Sequence, residues 1–289
     1  MFTEGKIDTE LVEQINKVCD HFETKVEFIE IEDSDLSWLR GSSFKNSYAT
    51  YFWLFMPVKL PDISRALAMN IDAIVESDIT RQYFADFDGK CIAGANEKAV
   101  FEIPMQLSEK EYSDQEGIDY PTFHDEYINA GVVFMDITRV KNEFPNYIND
   151  LSNLLSRLID FQKPFFADQP LCNIQFYKKK KILSREYNLQ LWKPQDNVEI
   201  SERIEHNRQL IWHGITAKPW ELRRTTPLGK HYRELCRQTE RIMGEKLKFR
   251  LLRRFEGDEP LLKRIVRGLK PTWWYAKYFK KHPGAFDNI

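Results

Sequence analysis

The chain has 289 residues, of which 42% are hydrophobic and 30% charged, with 12 glycines and 13 prolines, a composition that excludes a disordered or fibrous chain and allows one large α/β domain or two small ones. The formal net charge is −2, but from Arg241 onward 13 Lys and Arg stand against 5 Asp and Glu, a net of +8 that leaves −10 on the preceding 240 residues, so the two parts offer different surfaces to partners. The four cysteines, Cys19, Cys91, Cys172 and Cys236, lie far apart without a C-x-x-C pair, the pattern of free thiols in a reducing cytosol rather than of a disulfide framework.

Taken in chain order, the opening "MFTEGKIDTELVEQINK" is acidic and periodic and lacks the basic-then-apolar order of a secretory leader. "TELVEQINKVCDHF" has apolar residues at helical spacing, and "KVEFIEI" alternates like a strand. "SYATYFWLFMPVKL" reads as a buried helix ended near Pro57, and its apolar run is far below the ~18 residues of a membrane span. The short apolar runs "RALAMN", "AIVES", "KCIAGAN" and "NAGVVFMDI" read as strands covered on both faces, with "MNIDAIVES" forming one buried strand. "YINDLSNLLSRLIDFQ" and "DQPLCNIQFY" have helical periods, "KKKK" at 178–181 reads as a solvated helix end, and "IWHG" closes a last strand. Alternating strands and helices predict an α/β protein with an open, mostly parallel sheet, helices on both faces, and a ligand site at the carboxyl ends of the strands.

A carboxylate at the end of a buried strand, Asp72, is costly to desolvate unless something positive meets it. A divalent cation would do so, and two oxygen-bearing side chains at i and i+2, here Asn70 and Asp72, can share one ion whose other positions a diphosphate fills. From the residues alone the plainer roles stay open: Asp72 as a helix cap or turn acid, His213 as a satisfied histidine at a strand end, and Asp168 as the cap of "QPLCNIQF". "FHDEY" at 123–127 is set aside as a metal site, because consecutive side chains rarely converge on one ion.

"YATYFWLFMPVKLPDISRALAMNIDAIVESDI" resembles the central block of glycosyltransferase family 8, roughly Y-x-R-L-x-x-P and then a strand ending in D-x-D. "YINAGVVFMDI", "FADQPLCNIQF" and "IWHGITAKPW" are similar, in order, to the family's Asn-Ala-Gly strand, its Asp-Gln helix start and its His and Lys-Pro-Trp signature, so the resemblance spans about residues 1–225. The family includes bacterial lipopolysaccharide galactosyl- and glucosyltransferases and is related to glycogenin. The resemblance implies a GT-A fold over 1–225, a UDP-glucose or UDP-galactose donor, a Mn²⁺ or Mg²⁺ ion, and transfer with retained anomeric configuration. It places Asn70 and Asp72 at the D-x-D positions, His213 as the third metal ligand and Lys218 at the diphosphate. It places Asn129, Ala130 and Gly131 against the donor sugar, and Asp168 and Gln169 beside the reacting carbon. As an amide, Gln169 is a poor nucleophile, which leaves both covalent double displacement and front-side attack open.

Four departures from the pattern bear on activity. "MFTEGKID" aligns with the family's second strand, which implies a missing opening strand, from a misassigned start or a truncated gene, and two sheet neighbours with unpaired groups at roughly 1–3 kcal/mol each if buried. Asn70 stands in place of an aspartate, which weakens the hold on a dication. Trp53 stands in place of an arginine and lacks its guanidinium fork. Only "GITA" separates His213 from Lys218, one residue fewer than usual in the family. Together they keep a second reading in view, a catalytically weakened GT-A protein acting as a membrane-associated binding or scaffold module.

Residues 226–289 form the expected second part, helical and basic, and from Arg241 Lys and Arg interleave with Leu, Ile, Trp, Tyr and Phe, including the pair Trp273–Trp274. Such a composition suits anionic lipid at about 1 kcal/mol per basic residue, and is preferred here over nucleic acid, the other phosphate-bearing partner. The expected location is the cytoplasmic face of the inner membrane, where a lipid-linked or oligosaccharide acceptor of lipopolysaccharide or capsule would lie.

Overall fold

In a computed structural model the chain divides into two compact units, Met1–Lys246 and Leu247–Ile289. The structure describes residues 1–3, 5, 7–39, 48–97, 114, 117–161, 168–192, 196–206, 210–215, 218–223 and 225–244. The first unit therefore runs beyond 225 and includes the helix Pro227–Met243; the basic stretch after Lys246, with Trp273 and Trp274, lies outside the described residues.

Strand β1 (Phe2–Thr3) pairs in parallel with β2 (Ile29–Glu30), and between them α1 (Thr9–His21) starts where the Asp8 carboxylate accepts the Glu10 N–H at 2.8 Å. The helix expected over 47–60 is instead, from residue 48 on, a 3₁₀ turn, Ala49–Phe55, followed by the single α-turn α2, Met56–Lys59. Pro57 opens α2 rather than ending a helix, a position where its missing N–H costs nothing.

Five strands follow that matter most to the site: β3 (Arg65–Met69), β4 (Ala73–Val75), β5 (Ile92–Asn96), β6 (Ile128–Asp136) and β7 (Lys180–Leu183). The larger sheet has the order β3-β6-β5-β7. β6 runs antiparallel to both β3 and β5, and only β5–β7 is parallel. A second sheet, β4-β9-β8, adds β8 (Leu189–Gln190) and β9 (Ile211–His213), with β4–β9 antiparallel and β8–β9 parallel. The sheets are thus mixed where a mostly parallel one was expected. Apolar runs report that both faces are covered, and carry no information about the direction of a neighbour. β6 illustrates this: Val133 and Met135 pack into one core cluster, Val132 and Phe134 into another on the other face.

"MNIDAIVES" is not one strand. β3 and β4 belong to different sheets, and between them the chain turns at 70–72, where the Asn70 carbonyl accepts the Ala73 N–H at 3.0 Å and Ile71 is 85% exposed. Asn and Asp favour such turns, so the apolar flanks belong to two buried strands and Asp72 faces the second sheet.

The helices α3 (Thr80–Tyr83), α4 (Tyr120–Asp125), α5 (Ile137–Glu143), α6 (Tyr147–Phe161), α7 (Asp168–Gln175), α8 (Asp196–Glu205) and α9 (Pro227–Met243) complete the described elements. "FHDEY" closes α4 and sends Phe123 and Tyr127 into a small aromatic cluster. "KKKK" is not a solvated helix end: Lys178 turns the chain with φ +58°, and Lys180 starts β7 opposite Ile92. Lys180 is buried and donates to the Asn173 carbonyl at 3.0 Å, and burial pulls its ammonium down to about 8. Helix α9 is capped by the Thr226 hydroxyl, which accepts the Gly229 N–H at 3.1 Å, and ends on Gly244 at φ +69°. His231 of α9 meets the Glu76 carboxylate at 2.8 and 2.9 Å, and that carboxylate also accepts the Trp212 indole N–H, tying α9 to the smaller sheet. No helix among the described residues is long and apolar enough to cross a membrane.

Candidate active site

Asn129, Ala130 and Gly131, near the start of β6, are the point at which three side-chain groups meet. In a strand, alternate residues face opposite sides, so the backbone of this tripeptide can serve both sheets and the start of α7 at once.

The first group lies at the turn after β3. The Asn70 N–H donates to the Gly131 carbonyl at 2.8 Å, and the Asn70 amide nitrogen lies 3.4 Å from His213 Nε2. That same ring nitrogen lies 3.1 Å from Asp72 Oδ1, while Lys218 Nζ holds Asp72 Oδ2 together with the Gly214 carbonyl at 2.9 Å. Register explains the meeting: Ala73 opposes His213 across β4–β9, and the Asp72 carbonyl accepts the Gly214 N–H. Burial pushes the Asp72 carboxyl up, but hydrogen bonds from His213 and Lys218 outweigh it and hold the group down at about 2. His213 is itself buried, and its Nδ1 has no hydrogen-bond partner.

The second group is amide-rich. Asn129 Oδ1 accepts the Gly131 N–H at 2.9 Å and the Asn188 side-chain N–H at 2.8 Å, and its own Nδ2 donates to Glu97 Oε2. Glu97 is almost fully buried; that burial, against the bond from Asn129, pushes its carboxyl up to about 7. Its Oε1 and Asn188 Oδ1 are both buried without a partner.

The third group opens α7. Gln169 Oε1 accepts the Ala130 N–H at 3.1 Å and its Nε2 is buried and unpartnered. The backbone donor fixes which end of this amide is oxygen. Beside it, Asp168 Oδ1 accepts the Thr50 hydroxyl at 2.5 Å and Oδ2 the Trp53 indole N–H at 2.7 Å. Asn173, one turn on, donates to the Gln169 and Ile128 carbonyls and accepts the Ile128 N–H, each at 2.9 Å, which clamps α7 to β6.

The sequence-derived residues Asn70, Asp72, His213 and Lys218 therefore come together, as do Asn129, Ala130, Gly131 and Gln169, with Asp168 next to Gln169. Glu97, Asn188 and Thr50 join them without having been singled out. Glu97 had a legible signal, a carboxylate directly after an apolar strand; Asn188 and Thr50 had none. Among the described residues no three His, Cys, Asp or Glu side chains gather as a metal cluster. The reason is local: the third donor beside Asp72 and His213 is the amide of Asn70.

Four buried polar atoms without partners among the described residues, His213 Nδ1, Gln169 Nε2, Glu97 Oε1 and Asn188 Oδ1, thus belong to residues that touch, or would touch through a Cβ, the same three-residue stretch of β6. Left unpaired, each would cost roughly 1–3 kcal/mol.

This mixed α/β architecture, with polar side chains gathered at strand ends, is that of the GT-A class of fold. Solved structures agree: an active-site mutant of LgtC superposes with a TM-score of 0.61 at 16% identity, covering 81% of this chain and 82% of that one. The galactosyltransferase LgtC in complex with donor and acceptor sugar analogs gives 0.55 at 17% identity, covering 81% and 93%. The glycosyltransferase GlyB of Streptococcus pneumoniae serotype 4 (strain ATCC BAA-334 / TIGR4) is 23% identical over 218 residues, 72% of this chain and 47% of GlyB, so the chain spans about half the length of that relative. The model of Glycosyl transferase family 8 matches residues 1–223, and the chain belongs to that family.

Proposed function

We propose that this chain transfers glucose or galactose from a UDP-sugar, with retention, to an oligosaccharide or lipid-linked acceptor of lipopolysaccharide or capsule. The observation that carries this reading is the set of four unpartnered polar atoms gathered on Asn129–Gly131 beside the Asp72–His213–Lys218 ion cluster. A sugar's hydroxyls would satisfy the first, and a diphosphate's charge would suit the second.

One carboxylate, one imidazole and one amide gather at this turn, the donor set of a divalent cation: His213 Nε2 lies 3.1 Å from Asp72 Oδ1 and 3.4 Å from the Asn70 amide nitrogen, so holding the ion requires Asn70 to turn its oxygen inward and Lys218 to release the carboxylate. Asn70, Asp72 and His213 would hold Mn²⁺ or Mg²⁺, which supplies charge neutralisation for a departing diphosphate when bound. Lys218, on a flexible four-carbon stem and about a third exposed, can reach a phosphate by leaving the Asp72 carboxylate and its two loop carbonyls. Gln169 keeps its oxygen on the Ala130 N–H and has only its N–H₂ to offer, so we assign it as a donor to the substrate. That assignment favours front-side attack over a covalent intermediate.

The test is UDP release from UDP-glucose and UDP-galactose across a Mn²⁺ titration, repeated with Asn70→Asp. An added carboxylate should lower the Mn²⁺ concentration for half-activity by roughly tenfold. Silence in both proteins, with circular dichroism showing them folded, would instead favour the non-catalytic module, a reading that Lys218's occupation of Asp72 and the neutral Asn70 already support.

We also propose that residues 241–289 attach the protein to the cytoplasmic face of the inner membrane, on the strength of their charge and aromatic content. Vesicles containing phosphatidylglycerol should float the full chain and lose it when 255–289 are removed; equal flotation of the two proteins would remove the membrane from the account.

A further inference from the structure

Resting on the reading of this site as a donor-sugar site, we infer that Trp53, together with Thr50, is the positioning residue for the Asp168 carboxyl, a neutral hydrogen-bond fork standing where the family pattern has an arginine.

Thr50 and Trp53 both lie in the 3₁₀ turn Ala49–Phe55 and are three residues apart. In a 3₁₀ turn side chains at i and i+3 eclipse one another, so both donors leave the same side of the turn. They reach different oxygens of one carboxyl: Thr50 Oγ1 to Oδ1 at 2.5 Å and Trp53 Nε1 to Oδ2 at 2.7 Å. Two bonds to two oxygens fix the carboxyl plane as well as its place. The turn is held in turn by Tyr51, Leu54 and Phe55, all buried in the main core, so the fork is preorganised before any ligand arrives. The next residue, Gln169, is anchored on Ala130, and the pair at the start of α7 thus faces the donor site with both side chains held.

An indole N–H differs from a guanidinium in one respect that matters: it brings no charge. A guanidinium would keep the neighbouring carboxylate ionised at every working pH. Here burial raises the Asp168 carboxyl to about 6, with the bonds from Thr50 and Trp53 opposing the rise. Above that value Asp168 is a charged acceptor for a sugar hydroxyl; as the pH falls through it the group takes a proton, and one oxygen becomes a donor while the charge is lost. The sign is that of a raised carboxyl: its burial costs stability once it ionises, a cost that is absent below 3.8, the ordinary value, grows as pH rises from there and is carried in full above about pH 6. A packing role for Trp53 alone predicts none of this.

The experiment watches Asp168 itself. In protein labelled with carbon-13 at the aspartate carboxyls, with the resonance assigned by its loss in Asp168→Asn, the midpoint should lie near 6. Trp53→Phe keeps an aromatic ring in the core but removes the donor, and should raise the midpoint by about one to two pH units. Thr50→Val removes the other donor at similar volume and should raise it as well, so the test survives if one variant folds poorly. In the UDP-release assay at pH 7.5, Trp53→Phe should lose about tenfold to hundredfold in kcat/KM, with the acid limb of its pH profile moved upward by the same interval as the carbon-13 midpoint. A resonance that titrates alike in parent, Trp53→Phe and Thr50→Val overturns the positioning role, even in a protein that transfers sugar. A parent silent with both UDP-sugars overturns hexosyl transfer instead, and the carboxyl titration still decides the role of Trp53.

Discussion

Replacing Asp72 with asparagine should lower kcat/KM by about a thousandfold or more, the largest loss of any single substitution in this site. Among the described residues its carboxylate is the one side-chain group that both His213 and Lys218 touch, and it is the only charged oxygen donor of the three metal-binding candidates. The same change should cost about 1–2 kcal/mol of stability at neutral pH, since two cation-capable side chains lose their shared partner and Lys218 is partly solvated. The pH dependence follows from the lowered carboxyl. The parent's advantage is fully present above 3.8, the ordinary value, and is lost as pH falls through about 2. Urea melts of parent and variant at pH 7 and near pH 2, with turnover at neutral pH, measure both effects. A variant that keeps activity within tenfold of the parent would leave Asp72 as a structural ion-pair partner only.

Gly131→Ala should be the second most damaging change, for a purely steric reason. A Cβ at this position would lie 2.6 Å from His213 Nδ1 and 2.9 Å from Asn129 Oδ1, closer than real Cβ contacts allow. Either His213 swings off Asp72 or β6 shifts, and both separate the ion cluster from the amide cluster. A displacement of about 1 Å at such a site costs about a hundredfold in rate, and the overpacking costs about 1–3 kcal/mol in stability. Gly94→Ala is the control: its nearest neighbour is the flexible Ile128 Cδ1 at 3.0 Å. Comparable activity in the two alanine variants would show that the glycine is not needed for the approach of His213.

Trp53 shows how far reading along the chain carries. As a letter it is a tryptophan where the pattern has arginine, and its loss of a guanidinium argues for damage. In space its indole N–H meets Asp168 across 115 residues, so the departure is a replacement of one donor by another. Glu97 is similar: an acid after an apolar strand was visible, but its bond to Asn129 depends on β5 and β6 pairing out of regular register between Gly94 and Asn96. "KKKK" was misjudged because four lysines look solvated until β7 is seen to pair with β5 and bury Lys180 against Asn173.

Residue order alone determined the buried runs, the order in which the site's pieces appear and the kinship to a glycosyltransferase family, because apolar spacing and short motifs are properties of neighbours along the chain. Strand direction, the turn that splits "MNIDAIVES" between two sheets, the engagement of Lys218 with Asp72 and the fork on Asp168 were decided only by tertiary structure. Each of these depends on hydrogen bonds and ion pairs between residues far apart in the chain, and those energies exist only once the sheets have closed and water has been excluded.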